Sequence, residues 1–326
     1  MKNIALVYFL GNEVKRSKRI SLISIFRKLK KLFAFKINPL SVKKVAIDES
    51  LTIHMVKLPY TFKELEKAGR LTKNKVNRCL SRICTEYSID KCIIPADLTS
   101  SLEKGVKSGL TGNLAFKALA ADITRYICAQ KGFSMRDVDV AIIQGDNAML
   151  PYMVIKQLSP DVKFITLVTN NRDLIEKKIE EVCYETGLSV RITKDAASVL
   201  NNSDVVINYG NLRSYRIIKK IDSNAIIINY GELKEDKFAS DNEVISGMDI
   251  GLGDRYTVSI EDDVLSFYSN SEIAEIILVN KAGIMFDSAG ELAENSDLDK
   301  FVKVFNEEGF YVKGIYNDRI FSKNNK

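Results

Sequence analysis

The sequence predicts an α/β protein: a doubly wound parallel sheet joined to a second, discontinuous α/β domain. Three observations carry this. Residues 138–144 (VDVAIIQ) and 163–168 (KFITLV) are nearly unbroken apolar runs, the pattern of strands covered on both faces. They alternate with segments of helical period, which sets parallel strands side by side between layers of helices. The strands also end on small and polar residues: Gly145-Asp146-Asn147, Thr169-Asn170-Asn171-Arg172, and an Asn-Tyr-Gly turn twice, at Asn208-Tyr209-Gly210 and Asn229-Tyr230-Gly231.

Taken in order, residues 3–10 (NIALVYFL) read as a buried first strand. A basic segment follows at 15–36, where Ile20, Ile23, Phe26 and Phe33 recur at helical spacing and Arg27, Lys28, Lys30 and Lys31 fall on another arc. Short strands are expected at 45–48 and 52–58. A helix comes next with Val76, Cys79, Leu80, Ile83, Cys84 and Tyr87 on one face, then a strand closing at Pro95. Thr111-Gly112-Asn113 opens a long helix running to about Gln130 and ended by Gly132. After the two central strands, 172–187 form a helix with Ile175, Ile179, Val182 and Cys183 buried, and Gly187 is its natural stop. SVRIT, DVVINYG and NAIIINYG are further strands, separated by helices at AASVLNNS and RSYRIIKKID. ISGMDIGLGD reads as a glycine-rich loop, SNSEIAEIILVN as a helix, and FVKVFNEEGFYV as a helix and strand. The expected domains are 111–236, the nucleotide-binding type, and 1–110 with 237–326, the outer α/β domain.

Composition narrows the chemistry. The five cysteines are odd in number and show no C-x-x-C spacing, which argues against a disulfide framework and a zinc site and fits a reducing cytoplasm. One histidine, His54, cannot supply a multi-histidine metal site, and its alternating neighbours place it in a strand. No metal site is expected. Between residues 14 and 44 lie eleven of the 48 Lys and Arg residues and none of the 42 acids, so the rest of the chain is net acidic. Three readings of this cationic segment stay open: packing on its own domain, attachment to an anionic membrane surface or protein partner, or nucleic-acid contact. The absence of an aromatic-rich RNA motif disfavours the last.

In open α/β sheets the ligand lies beyond the carboxyl ends of the strands. The expected cofactor-binding residues are therefore Gly145, Asp146, Asn147, Asn170, Asn171, Arg172, Tyr209 and Gly210. The glycine signature is eroded, because the positions that a dinucleotide fingerprint fills with three small residues hold Gly145, Asn147 and Leu150. Asp146 sets a negative charge where a pyrophosphate would go, and Asp146 or Asn147 also suits a helix N-cap. Arg172 stands where an NAD site has an acid. An arginine there accepts the 2′-phosphate of NADP, and the alternative is a first-turn surface residue.

The wording LVTNNRD and SDVVINYG resembles the cofactor domain of shikimate dehydrogenases, with their Asn-Arg-Thr turn and Asp-Val-Val-Ile-Asn strand. In layout the chain is similar to long-chain acyl-carrier-protein reductases: Leu58-Pro59, then Cys92 to Pro95, then Thr111-Gly112-Asn113, and later SGMDIGLGD before FYSNSEIAEIILV. The resemblance implies a Rossmann-type domain, an NADP cofactor and hydride transfer to a carbonyl or thioester carbon of a small-molecule or acyl substrate. Two departures bear on it. The acyl-accepting cysteine of those reductases falls near Ser269, and no cysteine lies beyond Cys183. Tyr209, Tyr230 and Lys57 are proton donors by chemical type alone, and the catalytic residues stay unassigned. The alternative is a non-catalytic Rossmann scaffold that binds a nucleotide or a partner, held at a membrane surface through 15–36.

Overall fold

The computed structural model describes residues 2–10, 37–95, 113–210, 221–222, 224–231, 242–253, 256, 260, 262–284 and 296–317. The basic segment 15–36, the Thr111-Gly112 pair, the helix expected at RSYRIIKKID and the C-terminal SKNNK lie outside these residues, apart from Ile221 and Asp222 at the end of that helix. Contacts divide the chain into two compact units, Met1–Gly112 with Leu252–Ala293, and Asn113–Gly251 with Glu294–Lys326.

The first unit opens with β1 (Lys2–Leu10), β2 (Ser41–Ala46) and β3 (Leu51–Thr61). It continues with α1 (Phe62–Glu66), α2 (Arg70–Glu86) and β4 (Lys91–Ile93). The strand order is β2-β3-β1-β4. β1 runs parallel to β3 and β4, while β2 is antiparallel to β3. The predicted face of α2 packs as a stripe, with Val76, Cys79, Leu80 and Ile83 buried against Val7, Phe9, Val56 and Leu58. Tyr87, expected on that face, is the C-cap and stays 38% exposed. His54 is 3% exposed and packs its ring 5.6 Å from that of Tyr87.

The second unit begins with α3 (Asn113–Ala118) and α4 (Ala120–Lys131), so the single long helix expected here is broken at Leu119. Then come β5 (Val140–Ile143), α5 (Met149–Leu158), β6 (Phe164–Val168), α6 (Arg172–Thr186) and β7 (Ser189–Thr193). α7 (Ala196–Leu200), β8 (Val205–Asn208), β9 (Ile226–Asn229) and β10 (Glu243–Gly251) follow. Gly187 caps α6 in the left-handed region at φ +73°.

The chain then returns to the first unit for α8 (Asp262–Leu265) and α9 (Asn270–Lys281). There Phe267 packs on Tyr8 and Phe9, and the Tyr268 hydroxyl donates its proton between the carbonyls of Val7 and Ile93, 2.7 and 2.9 Å away. Last come α10 (Ser296–Glu307) and β11 (Tyr311–Asn317), back in the second unit.

The second sheet has the order β11-β10-β9-β8-β5-β6-β7. Five parallel pairings join β10 through β7, and β11 closes the edge antiparallel to β10. Numbered from β5, the parallel strands stand in the order 3-2-1-4-5-6, the doubly wound Rossmann arrangement, with its switch point between β5 and β8. The protein is thus an α/β chain with a Rossmann-type domain and a second α/β domain.

Two expectations change. ISGMDIGLGD is no loop: most of it is β10, the sixth parallel strand. Its glycines are covered by the rings of its neighbour, Tyr316 over Gly247 and Tyr311 over Gly251, which supply the packing that glycine lacks. The segment 237–326 is also shared between units instead of lying wholly in the outer one, because β10 and β11 pair with each other inside the Rossmann-type sheet.

Candidate functional site

The carboxyl edge of the seven-stranded sheet brings the expected residues of the second unit together. Ile143, Asn208 and Asn229 are register partners at the ends of β5, β8 and β9. The ladder continues one residue further, with the Tyr209 amide on the Ile143 carbonyl at 2.9 Å and the Tyr230 amide on the Asn208 carbonyl at 2.8 Å. Each strand then reaches a glycine. A Cβ on Gly145 would sit on the carbonyl oxygen of Tyr209, and one on Gly231 would sit on that of Gly210. A Cβ on Gly210 would come 2.7 Å from the carbonyl oxygen of Gln144. The side-chain direction of each glycine is therefore filled by a neighbouring backbone. These glycines let protein segments touch one another, a different use from admitting a phosphate.

The asparagines beside them are tied inward. Asn208 Nδ2 donates to Asn229 Oδ1 at 2.7 Å, Asn229 Nδ2 donates to the Gly231 carbonyl at 2.9 Å, and the Gly210 amide donates to Asn208 Oδ1 at 3.1 Å. Both side chains are buried, as such satisfied groups can be. On the opposite face the tyrosines stack, Tyr209 on Tyr230 at 4.8 Å and 11°, one strand spacing apart, with Phe116 of α3 at 4.5 Å from Tyr230. Their rings keep some surface, yet both hydroxyls are buried with no hydrogen-bond partner among the described residues, as is Oε1 of Gln144, the residue that follows Ile143. Burial pushes both phenols well above their ordinary pKa, and for Tyr230 the neighbouring Tyr209 adds to it. They are neutral at physiological pH, able to donate a proton in a hydrogen bond and poorly suited to release one.

The first helix after β5 is where a diphosphate would dock, because the leading amides of a helix point outward unpaired. Here α5 has Ala148 as N-cap, with no side-chain cap bond. Asn147 Oδ1 accepts from the Met149 amide at 2.8 Å, which occupies the first helical donor. The third helical residue is Pro151, which has no N–H. Of the three leading positions only Leu150 keeps an amide for an incoming anion. Asp146, two residues ahead of the N-cap, is exposed. Asn147 therefore closes a turn just ahead of the helix, and the N-cap expected at Asp146 or Asn147 falls at Ala148 instead.

At the end of β6, Asn170 and Asn171 are exposed, and the Asn171 amide donates to Thr169 Oγ1 at 2.9 Å. Arg172, the first residue of α6, turns along its own helix: Nε donates to Glu176 Oε1 at 2.8 Å, and a second guanidinium nitrogen bonds the same oxygen. The hydrogen bond and charge of Glu176 raise the arginine's pKa. The side chain is 57% exposed, so the pair is screened and weak.

No family model matches the chain, and no curated protein does. Among solved structures, a dipicolinate synthase chain from Bacillus halodurans is similar at 12% identity over 85% of this chain and 96% of that one, with a TM-score of 0.38. Shikimate 5-dehydrogenase from Listeria monocytogenes, in complex with shikimate and NAD, is similar at 11% identity over 85% and 96%, TM-score 0.32. Delta(1)-pyrroline-2-carboxylate reductase from Thermococcus litoralis, in complex with NADH and L-proline, reaches 17% over 38% and 37%, TM-score 0.27. Carbamoyltransferases are similar at the same level. Reductases and transferases thus appear side by side, and it is the strand order that fixes the fold class here.

Two residues named by type or by resemblance lie in the other unit. Lys57 donates to Asp263 Oδ2 at 2.8 Å and stands 5.5 Å from the centre of the Tyr8 ring. Ser269 is the N-cap of α9: Oγ accepts from the Glu272 amide at 3.2 Å and donates to Glu272 Oε2 at 2.9 Å. Both capacities of that hydroxyl serve a capping box, the role of a helix cap and not of an acyl acceptor. Sequence reasoning passed over Gln144, whose buried unpartnered oxygen follows directly from β5, and Pro151, whose missing amide was visible three residues into the expected helix. Among the described residues no helix is long and apolar enough to cross a membrane, and no group of acids, cysteines and histidine is placed to hold a metal.

Proposed function

We propose that the chain is a non-catalytic Rossmann scaffold that binds the adenosine portion of a nucleotide at the end of β6, through Asn170 and Asn171. The observation that carries this reading is the depleted helix terminus: Asn147 occupies one leading amide of α5 and Pro151 removes another. A dinucleotide then gains little from its diphosphate, and hydride transfer loses the anchor that would hold a nicotinamide in place. The basic segment 15–36 adds attachment to an anionic membrane surface, supported by eleven cations without an acid between 14 and 44, in a protein of the cytoplasm.

The second reading is an NADP-dependent oxidoreductase reducing a carbonyl or thioester, and specific observations favour it. Arg172 is exposed at the start of the helix after β6, where a 2′-phosphate would be read, and the buried phenols of Tyr209 and Tyr230 lie unpartnered among the described residues at the same sheet edge.

Calorimetric titration with AMP, NADH and NADPH separates the two. The scaffold reading expects the three to bind with affinities within about threefold of one another, since the adenosine supplies the shared contacts. NADPH binding at least tenfold tighter than AMP supports the enzyme, and no binding of any of the three removes the nucleotide and leaves a partner-binding scaffold. Sedimentation with anionic liposomes, with and without residues 15–36, tests the attachment.

A further inference from the structure

The chain's one histidine is a polar interruption in an apolar face of the first unit. His54 stands two residues before Val56 and four before Leu58 on β3, so strand alternation puts it on the face that packs under α2. The imidazole is 3% exposed, and the ring of Tyr87, the C-cap of α2, lies 5.6 Å away. Its Nε2 is 3.4 Å from Asn3 Oδ1 of β1, while Nδ1 is buried and meets no hydrogen-bond partner among the described residues. With the Nε2 proton directed at Asn3, Nδ1 is the bare acceptor of the neutral ring. Lys44 of β2 is the register partner of His54, and paired residues of an antiparallel ladder share a face. Asp90, the acid on the Asn3 side, accepts from the Asn3 amide at 2.8 Å, and Lys44 is the charge that faces the ring.

A proton added to this ring makes Nδ1 a donor with no acceptor, charges a buried group, and sets that charge beside an ammonium. One element has to move to admit water. β2 resists least: it is paired on one side only, Lys43, Lys44 and Ala46 are exposed, and none of its residues is fully buried. β1 is flanked by β3 and β4, and α2 is anchored by Val76, Cys79, Leu80 and Ile83. We propose that His54 is an acid-sensing latch: when it takes up a proton, β2 leaves the edge of β3 and pivots on the turn at Asp48, which stays closed. That turn suits a pivot. The Ser50 and Leu51 amides donate to Asp48 Oδ1 at 2.7 and 2.9 Å, and Lys281 pairs with Oδ2. Burial alone would raise the Asp48 pKa, but the bonds from Lys281, Ser50 and Leu51 bring it down to about 2, so the carboxylate stays charged where an imidazole titrates. Burial, and then Lys44, hold the His54 pKa below its ordinary 6.5. Opening therefore becomes more favourable as the pH falls from about 6.5 toward the folded-state value, by at most about tenfold per pH unit, and no further below it. The strand it frees is the one that follows the basic segment 15–36 in sequence.

The test uses the full chain. Hydrogen–deuterium exchange is followed by peptide at about pH 7 and about pH 5 and expressed as protection factors, which removes the intrinsic pH dependence of exchange. The expected result is a loss of protection of at least about threefold over Ser41–Ala46 at the lower pH, with β1 and β5 unchanged. In His54→Asn, which cannot take up the proton, β2 should be equally protected at both pH values. With one histidine in the chain, its ring Hε1 resonance titrates alone in the proton spectrum. Its midpoint should lie below the ordinary value in the wild type and rise in Lys44→Gln, a change at an exposed position. Protection lost equally from β1 and β5, loss confined to the end of α2 with β2 unchanged, an equal loss from β2 in His54→Asn, or an Hε1 midpoint at or above the ordinary value would each overturn the proposal. The wild-type exchange map and the Lys44→Gln titration decide the matter even where His54→Asn fails to fold. None of these readouts involves a nucleotide, so the inference stands apart from the proposed function.

Discussion

The centre and the flank of one sheet edge are built for different ends. At the centre, where β5, β8 and β9 finish, glycines admit neighbouring backbone, asparagines bond one another and two tyrosines stack, so protein fills the space and only the two phenol hydroxyls and Gln144 Oε1 stay unpartnered. At the flank, where β6 finishes, Asn170, Asn171 and Arg172 are exposed, and Glu176 on the same helix is the arginine's ionic partner. A dinucleotide needs both regions, one for adenosine and one for diphosphate and nicotinamide. The contrast teaches that a doubly wound order can be kept intact while the middle of its crevice is closed by backbone contacts.

The sharpest way to break that contrast is to add one methyl group. Gly145→Ala and Gly231→Ala place a Cβ on backbone carbonyls at the centre of the sheet and should each cost about 3 kcal/mol in urea unfolding. Gly251→Ala meets only the ring of Tyr311, which is 54% exposed and free to swing, so it should cost no more than about 1 kcal/mol. Equal losses at the three sites would show that the central glycines are not backbone spacers.

The stacked phenols sharpen the same comparison with a smaller effect. A buried hydroxyl without a partner is unfavourable, so Tyr209→Phe or Tyr230→Phe should leave stability unchanged or raise it by about 1 kcal/mol. A loss of about 1 kcal/mol or more would mean that the hydroxyl is engaged and the centre is polar in function.

The outer unit supplies a pH-dependent effect. Burial, and then the charge of Lys44, lower the pKa of His54 below its ordinary 6.5. The unfolded chain therefore takes up a proton that the folded chain resists, and stability should fall as the pH drops from about 6.5 toward the folded-state value. His54→Asn should flatten the urea midpoint over that window, and an unchanged slope would contradict the assignment. The smallest effect belongs to the flank. Arg172→Ala should change stability by no more than about 0.5 kcal/mol, because an exposed i,i+4 pair contributes little, and it should leave the ratio of NADPH to NADH affinity unchanged.

The parallel sheet was legible because β5, β6, β8 and β9 are apolar on both faces, a local property of the sequence. β10 was not legible: Gly247 and Gly251 have no strand propensity of their own, and the rings that cover them come from Tyr316 and Tyr311, some sixty residues later. The same distance hid the sharing of 237–326 between units, since nothing within β11 states which partner it pairs with. At the site, Gly145 was visible as a tight-turn residue, whereas its purpose depends on the Tyr209 carbonyl and so on the three-dimensional register of β5 with β8. Pro151 was legible throughout, because a proline lacks its amide in any fold.

The central claim, that Asn147 and Pro151 withhold the diphosphate donors of α5, is tested most directly by restoring them. The double variant Asn147→Gly, Pro151→Ala is titrated with NADPH and AMP beside the wild type. The ratio of NADPH to AMP affinity should lie near one for the wild type and rise at least about a hundredfold in the variant, the gain from two hydrogen bonds to a charged group. A wild-type ratio already at ten or more, unchanged by the substitutions, would contradict it.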